Sequence, residues 1–267
     1  MAAATEYCAV QEHVISNFLN VTEGKLKEIS DDFDEKIIGQ GYVKNELLQA
    51  LYPATQEQKR NKPITVLFYG SSGVGKTETA NYLASVLGGK LFRKQFSMFQ
   101  NNEFAVYLFG GKHTEKSFAQ DLMARKSNVI LLDEFDKANP VFHSAFYQLF
   151  DEGIYEDTNF RADLKDSIII CTSNYRDKNE IKQKLGDPIF NRFDKIIGFK
   201  DLDITAKKTI LLRTIEDEQV HFPKIHISQD ITSKLLSALG RVNNAREIQH
   251  LVIDTFSLIG LKEILGN

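Results

Sequence analysis

Hydrophobic positions in this chain follow two spacings, and the switch between them marks its elements. Ile64-Thr65-Val66-Leu67-Phe68-Tyr69, Asn128-Val129-Ile130-Leu131-Leu132-Asp133-Glu134 and Ser167-Ile168-Ile169-Ile170-Cys171-Thr172-Ser173-Asn174 contain short apolar runs, the last two with polar tips. Near-continuous apolar strands belong to a parallel sheet covered by helices on both faces, and ligands sit beyond their carboxyl ends. Lys195-Ile196-Ile197-Gly198-Phe199 predicts another strand, and Leu91 to Phe96 alternates as a half-buried one does. Helical spacing places Val43, Leu47, Leu48 and Leu51 on one face before Pro53, and Ala80, Leu83, Ala84 and Leu87 before Gly88-Gly89. Asn139 as cap and Pro140 as first residue predict a helix carrying Val141, Ala145, Phe146 and Leu149.

Beyond about residue 201 the pattern turns helical, over roughly 203–219, 229–239 and 244–264. Between the first two, Ile225-His226-Ile227 alternates like a short strand, and Ser228 can cap the following helix. At the other end, Val10, Val14, Ile15 and Phe18 form a stripe that either packs on the body or docks a partner. The predicted layout is a helical extension at 1–30, an α/β domain at 31–200 and a small, mostly helical domain at 201–267.

Composition narrows the setting. A hydrophobic fraction of 42% supplies a substantial core, while no apolar run approaches the ~20 residues of a membrane span. The opening MAAATEYCAVQEHV lacks the apolar centre of a signal peptide, so a cytoplasmic protein without membrane contact is expected. A formal net charge of −3 gives no global field toward nucleic acid or anionic lipid. Cys8 and Cys171 form neither a disulfide framework nor a metal-ligand spacing, and Cys171 is expected in the core.

Candidate chemistry concentrates at the strand tips. Gly70-Ser71-Ser72-Gly73-Val74-Gly75-Lys76-Thr77 fits the GxxxxGK[ST] phosphate loop between a strand and a helix. Ser72, Gly73, Val74 and Gly75 would turn backbone N–H groups toward phosphate oxygens, and the helix N-terminus adds positive potential. Lys76 would reach the β- and γ-phosphates, and the Thr77 hydroxyl would hold Mg²⁺. Asp133 would bind the same Mg²⁺ through its water shell, and Glu134 would orient the attacking water. ATP and Mg²⁺ are therefore the expected ligands of a P-loop NTPase.

The order of motifs resembles the AAA+ ATPases, and within them the ATPase module of the Clp unfoldase family, from about Phe33 onward. IIGQ at 37–40, GSSGVGKT at 70–77, ILLDEFDKA at 130–138, FYQLFDEG at 146–153, CTSN at 171–174 and FNRFD at 190–194 carry it. The resemblance implies that the helical C-terminal part is an AAA+ lid and that Ile37 and Ile38 line an adenine pocket. It implies that Asn174, at the sensor-1 position, holds the water or γ-phosphate. Arg192 matches the arginine finger that reaches a neighbour's nucleotide, and Arg246 matches sensor-2, with Arg241 an alternative one helical turn earlier. It also implies self-association into a ring or partial ring, with a hexamer as the family form.

Two features depart from the family. The aromatic Gly-Tyr-Val-Gly that grips substrate is replaced by Tyr107-Leu108-Phe109-Gly110-Gly111-Lys112-His113-Thr114-Glu115-Lys116, where Phe109 is either a substitute grip or a core residue. A second ATPase module, a zinc-binding domain and a protease-docking tripeptide are not recognisable, and the strand that usually extends the small domain is not present before Asn267. The leading expectation is an ATP-driven remodeller of an unknown protein client. Its alternatives are a nucleotide-dependent switch or assembly factor that does not thread, and a nucleic-acid-acting ATPase supported only by Lys112, Lys116 and His113.

Overall fold

The computed structural model describes residues 11–12, 20–56, 58, 61–98, 103–112 and 114–266. Strand β1 (Gln11–Glu12) is followed by helices α1 (Glu23–Lys36) and α2 (Gly41–Leu51), then β2 (Ile64–Tyr69), α3 (Lys76–Val86) and β3 (Phe92–Gln95). Next come α4 (Glu103–Phe109), α5 (Phe118–Met123), β4 (Val129–Asp133), two 3-10 stretches, α6 (Tyr147–Glu152), β5 (Ile154–Glu156) and β6 (Phe160–Asp163). Strand β7 (Ile168–Thr172), helices α7 (Lys178–Leu185) and α8 (Asp187–Phe190) and strand β8 (Lys195–Gly198) complete the α/β part. Helices α9 (Ile204–His221), α10 (Gln229–Ala238) and α11 (Ala245–Leu265) follow.

The main sheet has five strands in the order β3-β4-β7-β2-β8, all paired in parallel. Every residue of β4 and β7 is buried, as their continuous apolar sequences require of strands sandwiched between two helical layers. Alternation along the strands divides the core in two. Leu67, Ile130, Leu132, Ile169 and Cys171 face an aromatic cluster that includes Phe96, Phe104, Phe118, Phe135, Phe146 and Phe150. Val66, Phe68, Val129, Leu131, Ile168 and Ile170 face α1, α2 and α3 through Ile29, Phe33, Leu47, Leu51, Ala80 and Leu83. A third cluster, with Leu211, Leu235, Leu239, Ile248, Val252 and Phe256, belongs to the helical C-terminal part.

Several expectations change. Helix α1 runs through residue 30 without a break and puts Ile29 and Phe33 into the α/β core. The stripe at Val10, Val14, Ile15 and Phe18, and Cys8, lie outside the described residues. Ile225-His226-Ile227 is not a strand: the Gln219 amide donates to the Phe222 and Ile225 carbonyls at 3.0 and 2.7 Å, and Ile225 packs into the helical core. The segment Pro140–Phe146 is a 3-10 helix, whose threefold repeat buries His143 and Phe146 together and leaves Val141 74% exposed. Asn139 caps it as expected, accepting from the Val141 N–H at 3.1 Å. The antiparallel hairpin β5–β6, with β1 added in parallel to β6, is a further small sheet that the hydrophobic pattern does not announce.

Candidate functional site

The carboxyl ends of β2, β4 and β7 open into a cleft of about 450 Å³ lined by Ile37, Ile38, Ser72, Gly73, Val74, Gly75, Lys76, Thr77, Asp133, Glu134, Asn174 and Arg246. One wall is the turn between β2 and α3. Gly75 caps α3 at φ 109, and Gly73 lies at φ 72, conformations that glycine adopts without steric cost. A Cβ on Gly73 would also come within 3.0 Å of the Asn244 side chain, so the loop and the start of α11 require a bare backbone there. Gln40, buried just before α2, fixes the loop from outside: its amide donates to the carbonyls of Val74 at 3.0 Å and Lys200 at 2.8 Å. Gln40 was visible only as the last residue of the IIGQ match.

Lys76 enters this cleft from the first turn of α3 and is 8% exposed. Its ammonium donates to the Gly70 and Ser71 carbonyls at 2.5 and 2.7 Å and to Asn174 Oδ1 at 3.2 Å. Burial pulls the ammonium down to about 8, with Asp136, Asp133 and Glu134 acting in the opposite direction. Asn174, beyond the tip of β7, thus meets the phosphate-loop lysine directly.

The acidic pair is built by strain and by cross-strand hydrogen bonds. Glu134 follows the end of β4 at φ 56, the one positive φ outside glycine among the described residues. Such a left-handed backbone is costly and persists where its surroundings hold it. Here the Glu134 N–H donates to Thr172 Oγ1 at 2.9 Å, and the Lys137 N–H donates to the Glu134 carbonyl at 2.9 Å. The Thr172 hydroxyl in turn donates to Asp133 Oδ1 at 2.5 Å, so one side chain of β7 positions both acids. Hydrogen bonds from Ser97 and Gln95 hold the Glu134 carboxyl below its ordinary range, so it stays ionised. The amide of Gln95 reaches Glu134 Oε2 at 3.2 Å. Asp133 is 5% exposed, and its Oδ2 accepts from Arg93 Nε and Nη2 at 2.9 and 2.5 Å. Neither Arg93, Gln95 nor Ser97 was singled out in the sequence, because β3 reads there only as an alternating strand; Thr172 stood inside the CTSN match without a role.

Helix α11 closes the other side. Asn244 caps it by accepting from the Glu247 N–H at 3.0 Å, while Ala245 N–H donates to the Gly73 carbonyl at 3.0 Å. That docking brings Arg246 Nη1 to 3.3 Å from Ser72 Oγ. Arg246 therefore faces the cleft, and Arg241, in the turn preceding α11, is not among its lining residues. Ile37 and Ile38 lie on the apolar side together with Leu202 and Ile210, two further residues that the sequence reading did not name. Arg192 points elsewhere. It donates from Nε to Asp151 Oδ2 at 2.8 Å and from Nη1 to the Pro188 carbonyl at 2.6 Å, with its guanidinium 4.2 Å from the Tyr147 ring centre.

The residues fit a magnesium–nucleoside triphosphate. A glycine-shaped loop at a helix N-terminus suits phosphate, Lys76 supplies a buried cation, and Thr77 and Asp133 offer the hard oxygen donors that Mg²⁺ takes alongside phosphate. A parallel sheet carrying this loop and an acidic pair at a neighbouring strand tip defines a P-loop nucleoside triphosphatase.

The chain belongs to the AAA family: the family model of the AAA domain (Cdc48 subfamily) matches residues 61–236. It is similar to the ATP-dependent Clp protease ATP-binding subunit ClpL of Staphylococcus aureus strain USA300, at 30% identity over 236 residues, covering 78% of this chain and 33% of that protein. The ClpL of strain MRSA252 gives the same identity and coverage. Among solved structures, a closed-state cryo-EM reconstruction of Hsp104 with ATPγS and FITC casein superposes with a TM-score of 0.77 at 21% identity, over 90% of this chain and 48% of that one, a likeness of fold. The chain spans about a third of the length of these curated relatives. It is an AAA+ ATPase similar to the Clp ATP-binding subunits, a class whose reaction is ATP hydrolysis.

The segment that departs from the family is tied down. The Phe109 carbonyl accepts from Thr158 N and Oγ1 at 3.1 and 2.8 Å, Asn159 donates to the Gly111 carbonyl at 3.0 Å, and Glu115 accepts from the Lys112 N–H at 3.0 Å. Phe109 is 46% exposed and rests against Phe142, while Lys112 and Lys116 are exposed; His113 lies outside the described residues. No described helix is long and apolar enough to cross a membrane.

Proposed function

We propose that this chain is the ATP-hydrolysing engine of a cytoplasmic protein remodeller that works by subunit assembly, as a ring or partial ring. The convergence of Lys76, Asp133, Glu134 and Asn174 on one cleft carries the reading, with Arg246 brought in from α11. In this reading the loop N–H groups and Lys76 bind the β- and γ-phosphates of ATP, while Ile37 and Ile38 pack on the adenine. Thr77 and Asp133 would hold Mg²⁺, which when bound neutralises charge between the phosphates. Glu134, kept ionised, orients and polarises the attacking water, and Asn174 holds that water or the γ-phosphate. Arg246 reads the γ-phosphate from the lid, so that hydrolysis changes how the lid is held. Arg192, turned away from its own cleft, acts on a neighbour's nucleotide.

A second reading has its own support. The hydrogen bonds that pin Phe109 and Gly111 to the β5–β6 turn favour a fixed surface over a mobile substrate grip, hence a nucleotide-dependent switch or assembly factor. Sedimentation of the Glu134→Gln variant with and without ATP tests the shared core of both readings. ATP should convert a small species into a defined oligomer. A species unchanged by saturating ATP would remove the assembly step and the trans role of Arg192. Continuous, client-dependent turnover with release of unfolded client would then select remodelling over switching.

A further inference from the structure

Asp133 is the acid through which Mg²⁺ is held in the reading above, yet both of its oxygens already have donors from this chain. Thr172 Oγ1 donates to Oδ1, and the Arg93 guanidinium makes a two-pronged contact with Oδ2 through Nε and Nη2. The two partners differ in kind. Thr172 is a neutral, buried hydroxyl on the adjacent central strand, which also takes the Glu134 N–H and belongs to the scaffold. Arg93 is a cation on the edge strand β3, its side chain 43% exposed against 8% for Asp133, and it lines the same cleft. A carboxylate this buried requires a compensating charge. The cation beside it is on the side open to the cleft, where it can leave into solvent at little cost.

We infer that Arg93 is a metal-loading residue: it holds the charge of Asp133 until Mg²⁺ arrives with the nucleotide, and competes with the metal for Oδ2. A guanidinium and a hydrated dication cannot both use the same carboxylate oxygen without mutual repulsion, and Arg93 has the more exposed position of the two groups on Asp133. The competition keeps the acidic pair from collecting Mg²⁺ without nucleotide, and so couples metal entry to the phosphates. Arg93 acts through Asp133 and is a positioning residue. The inference rests on the assignment of Asp133 to the metal side of the site.

The test uses the full chain and Mg²⁺ itself as the probe. Thermal unfolding is followed across a Mg²⁺ titration without nucleotide at constant ionic strength, and binding of a fluorescent ATP analogue is followed across the same titration. Wild type should show no Mg²⁺-dependent midpoint in the first measurement. Arg93→Gln should gain one, and its Mg²⁺ requirement for analogue binding should fall about tenfold, the scale of a charge-assisted hydrogen bond. Arg93→Lys should lie between the two, since it keeps the charge and loses the fork. Equal Mg²⁺ requirements in wild type and both variants would overturn the inference. Should Arg93→Gln fail to fold, the shift in Arg93→Lys decides by itself. Asp133→Asn separates the two levels: if it retains the wild-type Mg²⁺ requirement, the metal-side assignment of Asp133 is wrong. If it loses that requirement while the Arg93 variants behave as wild type, only the role of Arg93 falls.

Discussion

Arg246 and Arg192 come from different elements of the chain and differ in what holds them. Arg246 sits in the first turn of α11, whose start is locked to the phosphate loop through the Ala245–Gly73 hydrogen bond, and its guanidinium contacts Ser72 in the cleft. Arg192 follows α8, and Asp151, the Pro188 carbonyl and the Tyr147 ring hold it on a surface that contributes nothing to its own cleft. One chain therefore gathers Lys76, Asp133, Glu134, Asn174 and Arg246 at one cleft and holds Arg192 outside it. The comparison separates the groups that one fold gathers at its own cleft from an arginine held outside it, which the proposed function assigns to a neighbouring copy.

The largest effect should come from Arg192→Ala. A trans arginine contributes about 10³–10⁵ in rate, so turnover measured at assembling concentrations should fall by that order while ATP affinity stays unchanged. Turnover that is independent of protein concentration and insensitive to Arg192→Ala would erase the contrast between the two arginines. Glu134→Gln comes next. Loss of a positioned base costs roughly 10²–10⁴, and the glutamine keeps the shape at the φ 56 turn, so phosphate release should fall while equilibrium ATP binding persists.

The affinity side responds to pH through Lys76. Its ammonium lies at about 8 in the fold against 10.5 as the ordinary value. The unfolded chain therefore holds this proton through a window in which the folded chain releases it, so the stability cost of burying the charge is full below about 8 and is relieved as pH rises toward 10.5. Bound phosphate favours the charged form, so ATP binding above pH 8 should take up a proton and weaken by up to about tenfold per unit. Calorimetry in two buffers of different ionisation enthalpy reads the uptake directly, and identical heats in both would contradict it. Arg246→Ala should weaken ATP by about tenfold, the loss of one charge-assisted hydrogen bond, with the analogous change in ADP affinity smaller.

Much of this contrast was legible in the chain, and the unread part shares one physical cause. Strands β2, β4 and β7 are buried on both faces, which forces continuous apolar runs, and their tips carry the phosphate loop, Asp133–Glu134 and Asn174 in plain view. The edge strand β3 has one open side, so FRKQ carries no such signature, and Arg93 and Gln95 stay hidden although they touch both acids. Short elements failed for a related reason. Helices α4, α5 and α8 have too few turns to establish a period, and the small hairpin β5–β6 takes its order from the aromatic cluster through Tyr155 and Ala162. Ile225 to Ile227 alternates in sequence, but a strand needs a neighbour to receive its hydrogen bonds, and Gln219 takes the carbonyl of Ile225 instead.

The smallest effect is the most discriminating for Arg192. Its pair with Asp151 has side chains 26% and 47% exposed, so solvent screens it and Asp151→Ala should change unfolding stability by less than ~1 kcal/mol. If the pair were merely a surface contact, Asp151→Ala and Arg192→Ala would match each other in both stability and turnover. If Asp151 only parks a guanidinium that works elsewhere, the two variants part company: Arg192→Ala stops turnover, whereas Asp151→Ala keeps it. Releasing the tether also lowers the cost of moving Arg192 away from Asp151, so Asp151→Ala should reach half-maximal turnover at a modestly lower protein concentration. A concentration series of ATPase rate for the two single variants and the double variant measures this. Identical curves for Asp151→Ala and Arg192→Ala would return Arg192 to the status of an intrachain ion pair.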